Sequence, residues 1–346
     1  MPIIRHEEIS AQSGMVVAQH VTAAQIGVEV LRRGGNAVDS AVSTAFASGV
    51  LLPIWNGIGG GGLMTVHFNG GDGGTIDFGM QAPGLAHAEM YDLEDEQDVQ
   101  GPSRRFSWMK VKNNANTEGY TSIAIPGTVA GLSTALEKWG TIDLDQAVAP
   151  AVKLAREGFP LPRTVALSLS ERHALLSRFS TTADVYLNNG SPLSPGSYFV
   201  QSEYARTLER LGRVGASELY GGETGACIAE DVEQNGGYLR LSDFEQYQPI
   251  VRDQVLSGTY RGMEISAVTG PCAGPTVLEI LNILEQFDIA AMGHGTVDFL
   301  HTIIEAVKLS AVDRFSFMGD PAVIGFPIDV LAGAEYAISR AAEIDS

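Results

Sequence analysis

The sequence has little cysteine and little positive charge. Its two cysteines, Cys227 and Cys272, are far apart and form no C-x-x-C pair, which argues against a zinc site built on cysteines. Lysine and arginine number 22 against 41 aspartates and glutamates, for a formal net charge of −19. Nucleic acids and anionic membrane surfaces bind basic patches, so we expect neither as a partner.

Long apolar runs are also missing. The longest one, at residues 45–55, is interrupted and too short to span a bilayer. The first ten residues, MPIIRHEEIS, include two glutamates and no apolar segment, so they do not resemble a signal peptide. From these features we expect a cytoplasmic location.

The sequence lacks the familiar catalytic signatures. There is no G-x-S-x-G, no H-E-x-x-H, no Walker loop and no EF-hand. The seven histidines are dispersed, and dispersed histidines mostly serve structural roles. We therefore predict neither a metal site nor a cofactor.

What the sequence does have is a distinctive stretch from residue 33 to residue 83. Ala37, Ala41 and Ala45 recur at every fourth position, with Val38, Val42 and Phe46 beside them, which predicts a helix with a smooth, apolar stripe on one face. Two runs, 63–68 and 75–78, then alternate as strands do. The segment between them is rich in glycine and asparagine, so we predict a β-hairpin.

A glycine cluster, Gly57–Gly62, separates this helix from the hairpin. Gly57, Gly59 and Gly62 satisfy G-x-G-x-x-G, but a dinucleotide fingerprint must follow a strand and open a helix. Here a helix precedes and a strand follows, so a nicotinamide-binding module is a minor alternative. The glycines better fit a place where a neighbour or a ligand approaches the bare backbone.

The remaining chain interleaves predicted helices with short strands and contains neither repeats nor a low-complexity linker. This mixture predicts an α/β (α+β) fold, with residues 1–346 forming a single domain rather than two.

Short motifs in a fixed order cover nearly the whole chain, and together they are specific although each alone is weak. They are GGNAVDSA (Gly34–Ala41), NGIGGGGLM (Asn56–Met64), DFGMQAP (Asp77–Pro83), PGTVAG (Pro126–Gly131), LAREG (Leu154–Gly158), GTYRG (Gly258–Gly262), LNILEQF (Leu281–Phe287), and Glu305–Pro321 with its final GDP. In these motifs the sequence resembles the gamma-glutamyltransferase family of N-terminal-nucleophile hydrolases, and in particular the large subunit.

The resemblance implies a four-layer αββα sandwich that a small subunit completes. It also implies a precursor that cuts itself just before a threonine, whose hydroxyl attacks an amide while its own amine serves as the base. This chain would end before that threonine, so we expect no catalytic residue in it. The expected partners are the small subunit and a small-molecule amide, with a dimer of heterodimers left open.

One expected residue is missing. The family places an arginine directly after the D-F of the second strand, where it holds the α-carboxylate of the γ-glutamyl group. Here Asp77 and Phe78 are followed by Gly79, so the resemblance implies an altered substrate. The candidate substrate-binding residues are Gly79, Met80, Gln81, Trp55, Arg104 and Arg105.

Alternatives remain at this point. The protein could be a true gamma-glutamyltransferase, or glutathione hydrolase, whose carboxylate anchor is displaced, for example to Arg104 or Arg105 in the long polar segment. It could also be a non-catalytic member of the family.

Overall fold

The structure is a computed structural model that describes residues 9–71, 73–94, 99–100, 108–321, 323–325 and 327–345. Helices and short strands alternate along the described chain. The helices are α1 (Val21–Arg32), α2 (Ala37–Leu51), α3 (Thr128–Trp139), α4 (Leu144–Glu157), α5 (Arg163–Glu171), α6 (His173–Leu176), α7 (Ser180–Tyr186), α8 (Ser202–Val214), α9 (Glu223–Gln234), α10 (Leu241–Gln246), α11 (Ala273–Leu284), α12 (Ile289–Met292), α13 (Val297–Phe317), α14 (Ile328–Leu331) and α15 (Ala334–Ala341).

The strands are mostly short. They are β1 (Gly62–His67), β2 (Gly73–Phe78), β3 (Val99–Gln100), β4 (Trp108–Met109), β5 (Phe159–Pro160), β6 (Leu187–Asn188), β7 (Ser191–Pro192), β8 (Tyr198–Phe199), β9 (Ile250–Arg252), β10 (Leu256–Tyr260) and β11 (Met263–Ala267). Three single-turn 3-10 helices lie at Lys112–Asn114, Tyr120–Ser122 and Ala216–Glu218.

The chain divides into two compact units. The first comprises residues 1–62 and 78–249, and the second comprises residues 63–77 and 250–346. The single domain over 1–346 therefore stays a prediction. None of the described helices is both long and apolar enough to cross a membrane.

In the first unit, helix α2 lies at the centre. It packs against α1, α3 and α4, and α4 packs in turn against α8. Phe46, Val50 and Leu51 of α2 are almost fully buried in this core. The core therefore forms around the helix that leads into the glycine cluster.

The GGNAVDSA motif fixes where α2 begins. The side chain of Asn36 accepts hydrogen bonds from the backbone N–H groups of Val38 and Asp39, and Asp39 accepts one from the N–H of Asn36. This reciprocal capping satisfies donors that the first helical turn leaves unpaired. Asp39 is fully buried and also accepts from the backbone N–H of Thr141 at 2.8 Å, so the same carboxylate joins α2 to the segment after α3.

The predicted apolar stripe is correct for Val38, Val42 and Phe46, which are buried, and wrong for the alanines beside them. Ala37 and Ala41 are exposed and Ala45 is half-buried, whereas Ser43 and Ala47 are fully buried. Because other elements surround α2 along most of its length, burial follows the tertiary packing rather than one face of small residues.

In the second unit, β1, β2 and β9 form a three-stranded sheet in that order, as the predicted hairpin requires. Strands β2 and β9 are antiparallel, with Ile76 opposite Val251. Helices α11, α13 and α15 pack together around an apolar core. Its buried members are Ile283, Leu284, Ala306, Ala337 and Ala341.

Candidate functional site

The glycine loop, residues 57–61, connects the α2 segment to strand β1. Helix α2 ends at Leu51 and β1 begins at Gly62, so a helix precedes the glycines and a strand follows them. This order is the reverse of a dinucleotide fingerprint, as predicted. The carbonyl of Gly60 accepts hydrogen bonds from the N–H groups of Gly127 (2.8 Å) and Thr128 (3.1 Å), which fixes the loop on the start of α3.

Phe78 is held in a socket of glycines. A Cβ atom placed on Gly131 would lie 2.1 Å from Phe78 Cγ, one on Gly62 would lie 2.6 Å from the ring, and one on Gly127 would lie 2.1 Å from the Phe78 carbonyl oxygen. Gly127 and Gly131 are four residues apart and therefore share a face of α3. Only glycine permits this approach, and the ring is 6% exposed as a result.

The loop also contacts the residues after Phe78 directly. A Cβ on Gly61 would lie 2.7 Å from the backbone N of Met80 and 3.1 Å from the carbonyl carbon of Gly79. The side-chain-free backbones of the glycine loop and of position 79 are therefore in van der Waals contact.

Two tyrosines form hydrogen bonds with the backbone around the glycine loop. The hydroxyl of Tyr247 donates to the carbonyl of Gly79 at 2.9 Å, and the hydroxyl of Tyr220 donates to the carbonyl of Pro126 at 2.8 Å. The two rings stack with centroids 5.6 Å apart. Burial raises the pKa of Tyr220, so its hydroxyl keeps the proton that it donates.

A cavity of about 470 Å³ lies beside the glycine loop. Its size is typical of small-molecule sites. The lining consists of Ala45, Phe46, Gly49, Pro53, Ile54, Trp55, Asn56, residues 57–62, Phe78, Thr128, Leu132 and Tyr204. This described lining contains no charged side chain and no histidine.

A second cavity, of about 670 Å³, adjoins the first and shares with it Gly49, Pro53, Tyr204 and residues 56–59. Asp184 and Glu203 give its wall an acidic character. Burial raises the pKa of Tyr204, while a hydrogen bond with the Ile58 backbone opposes that rise. Tyr204 therefore contributes a neutral side chain to the wall that the two cavities share.

The structure places the predicted site residues in different environments. Trp55 lines the uncharged cavity with its side chain 52% exposed, and Gly79 lies against the loop as described. Met80 is 58% exposed, and it is its backbone that approaches Gly61. Gln81 is exposed and pairs through its backbone with Ile125 in an isolated bridge. Arg104 and Arg105 lie outside the described residues.

Sequence reasoning missed several residues that build this site. Thr128 and Leu132 line the cavity, and the spacing of the PGTVAG motif, with glycines on one helix face, was the signal that could have placed α3 there. Tyr204, Tyr220 and Tyr247 stand alone in the sequence, far from any motif, and only the fold brings them to the loop.

The described lining of the cavity can bind a ligand, but it contains no activated nucleophile. The hydroxyls in the lining, those of Thr128 and Tyr204, have no histidine or carboxylate beside them in the described lining. Within the described ranges, no three His, Cys, Asp or Glu side chains are grouped so that they could hold a metal ion. The cavity can therefore enclose an uncharged group, while an attacking group would have to come from elsewhere.

Comparison with known proteins extends this picture. Residues 23–346 match the sequence model of the family described as gamma-glutamyltranspeptidase. The chain is 34% identical over 339 residues to the glutathione hydrolase proenzyme of Escherichia coli strain K12, which covers 97% of this chain and 56% of that protein. It is 36% identical over 338 residues to an acylase ACY 1 proenzyme from Pseudomonas sp. strain SE83, covering 97% of this chain and 59% of that protein.

The fold agrees with these relatives. The crystal structure of Helicobacter pylori gamma-glutamyltranspeptidase superposes with a TM-score of 0.90 at 31% identity, over 98% of this chain and 94% of that one. The mixed α/β fold of the N-terminal-nucleophile hydrolase type is confirmed. The chain spans little more than half the length of the two curated relatives, in the portion that corresponds to the large subunit. The sequence and the fold agree, and the chain belongs to the gamma-glutamyltranspeptidase family.

Proposed function

We propose that this chain is the large subunit of an amide hydrolase or acyltransferase whose preferred acyl group is not the standard γ-glutamyl group. A threonine on a small subunit, released by cleavage of a common precursor, attacks the amide carbonyl through its hydroxyl oxygen. The threonine amine takes the hydroxyl proton and passes it to the leaving amine. Water or a second amine then releases the acyl group from the threonine. Proenzyme names among the relatives support this processing.

The observation that carries the altered substrate is the environment of Gly79. Its backbone lies against Gly61 and its carbonyl is held by Tyr247. The adjacent cavity has no cationic side chain in its described lining. A charge-assisted pair with a carboxylate contributes about 1.5–3 kcal/mol, or roughly ten- to a hundredfold in affinity, and glycine supplies none of it.

The test uses the complete protein as its gene encodes it. We expect two bands on a denaturing gel, and one band when the threonine that follows the cleavage point is replaced by alanine. The kinetic comparison is γ-glutamyl-p-nitroanilide against 4-aminobutyryl-p-nitroanilide, which differs by the loss of the α-carboxylate. Without an anchor, kcat/KM for the γ-glutamyl anilide should not exceed that for the 4-aminobutyryl anilide by more than about threefold, a difference of about 0.7 kcal/mol.

A gain-of-function variant sharpens the test. Gly79→Arg should raise kcat/KM for the γ-glutamyl anilide by roughly ten- to a hundredfold and leave the 4-aminobutyryl anilide unchanged. Gly79→Gln adds similar bulk without charge, and Met80→Arg places the charge one residue away, so neither should do so. Efficient, carboxylate-dependent turnover by the unmodified protein would refute the altered substrate and favour a displaced anchor. A single unprocessed band with no turnover would favour a non-catalytic member of the family.

A further inference from the structure

The uncharged cavity beside the glycine loop has a composition that selects its ligand. Phe46, Ile54, Trp55 and Leu132 present apolar surface to it, and the polar groups in its wall, apart from the backbone, are neutral. Moving a carboxylate or an ammonium group from water into such a site costs free energy, because no opposite charge in the described lining compensates the lost hydration. An apolar group gains free energy there in proportion to the surface that it buries.

Trp55 gives the second, independent observation. It is a large aromatic side chain and half of its surface faces solvent, although the neighbouring Leu51 and Leu52 are buried. Its ring stands at the cavity rather than in the core. Exposed aromatic side chains beside a cavity are typical of binding surfaces, because they contribute a large contact area at a small entropic cost.

The position of the cavity connects it with the substrate. Its wall includes Gly61, Gly62 and Phe78, and Gly61 is the residue that contacts the backbone of Gly79 and Met80. The cavity wall is therefore joined to position 79 through Gly61 and Phe78. In the proposed function this position faces the acyl group of the amide.

We propose that this cavity is a specificity subsite that binds an uncharged, apolar acyl group, either aromatic or a straight aliphatic chain, of the amide substrate. The inference rests on the proposed function for the identity of the amide, and Trp55 is the residue that determines the preference. Apolar contacts in the cavity thus bind the acyl group, in place of the charged pair that a glycine at position 79 cannot form.

The kinetic test compares p-nitroanilides that share a leaving group and differ only in the acyl group. We expect kcat/KM of the complete protein to rise about three- to fourfold for each methylene from acetyl through butyryl to hexanoyl. Glutaryl, which has a similar length but ends in a carboxylate, should fall at least about tenfold below hexanoyl. A flat series, or a preference for glutaryl, would overturn the proposal.

A variant pair assigns the preference to Trp55. Trp55→Ala should reduce the ratio of 4-phenylbutyryl to acetyl turnover by about tenfold, since a ring-to-ring contact and its buried area are lost. The matched control is Tyr198→Ala, because Tyr198 is an aromatic residue 65% exposed on β8 and outside the cavity lining. Equal ratios in the unmodified protein and in both variants would overturn the role of Trp55.

Binding of a non-hydrolysed probe separates this proposal from the proposed function. The dissociation constant of 4-phenylbutanamide, measured by calorimetry, should weaken about tenfold in Trp55→Ala and stay unchanged in Tyr198→Ala. Such binding without cleavage of any anilide would support the subsite and refute the proposed function. Cleavage that is insensitive to acyl length, together with no Trp55-dependent binding, would support the function and refute the subsite.

Discussion

A buried pair of carboxylates in the second unit gives a sharp prediction about pH. Glu279 on α11 and Asp313 on α13 are 1% and 2% exposed, and Arg340 on α15 donates to both oxygens of Asp313 at 2.8 and 2.5 Å. Burial and then the hydrogen bond with Asp313 raise the pKa of Glu279 to about 8. Burial would also raise the pKa of Asp313, but its hydrogen bonds with Arg340, Glu279 and Tyr336, together with the charge of Arg340, hold that pKa below its ordinary value.

The perturbation is Glu279→Gln, which keeps a hydrogen-bond donor of the same shape and removes the titration. In the unfolded chain Glu279 has its ordinary value of 4.5, so between pH 4.5 and 8 the folded state holds a proton that the unfolded state has lost. The free energy of unfolding due to this group is therefore largest at the acid end and decreases as pH rises through that window. One pKa unit corresponds to about 1.4 kcal/mol, which gives about 2–4 kcal/mol over the window once the coupling to Asp313 is allowed for.

The assay is thermal unfolding of the complete protein and of the variant at several pH values from 5 to 9. Relative to Glu279→Gln, the unmodified protein should lose about 2–5 °C in Tm across this range, because an unfolding entropy of about 2.1 cal/mol/K per residue makes 1 kcal/mol equivalent to little more than 1 °C in a chain of this length. Glu335→Gln, which removes an exposed carboxylate on α15, serves as the control and should give a curve parallel to the unmodified one. If the plot of Tm against pH for Glu279→Gln is also parallel to that of the unmodified protein, Glu279 is ionised in the folded state and the reasoning is refuted.

Three further variants test the first unit. Gly131→Ala should destabilise the protein by about 1–3 kcal/mol or more in urea unfolding, because the new methyl group would overlap the ring of Phe78; a neutral result would show that the socket can open. Asp39→Ala should cost about 3–5 kcal/mol in the same assay, since it leaves buried donors such as the N–H of Thr141 without an acceptor, and Asp39→Asn should cost less. Tyr247→Phe should cost only about 1 kcal/mol but should raise KM more than it lowers kcat, because it releases the carbonyl beside the substrate position; an unchanged KM would contradict that role.

Local rules predicted the regular elements well. Both ends of α4 follow from local signals, because Asp143 with Gln146 forms a capping box at its start and Gly158 ends it. The hairpin at β1 and β2 was likewise evident from its turn residues. Such signals depend on neighbours in the sequence, which is why the sequence alone reveals them.

The site was predictable only in part. Gly79 and Trp55 stood out, one because a motif residue was missing and the other because it adjoins the glycines. The tyrosines Tyr204 and Tyr247 could not be placed, because their partners at Ile58 and Gly79 are more than 140 positions away and no periodic pattern links them. Contacts between distant residues follow from packing, which local propensity does not encode.

Under the proposed function, the glycine at position 79 and the adjacent cavity favour the same class of substrate. Glycine supplies no cation that would offset a carboxylate, and the adjacent wall formed by Phe78 and the glycine loop carries no charged side chain. The chain as a whole carries a formal charge of −19, which further disfavours the approach of an anionic substrate at low ionic strength. An apolar, neutral acyl group escapes all three penalties. Because the penalties are independent, an arginine at 79 alone would restore the local pair, while the apolar wall and the repulsion from the acidic surface would remain.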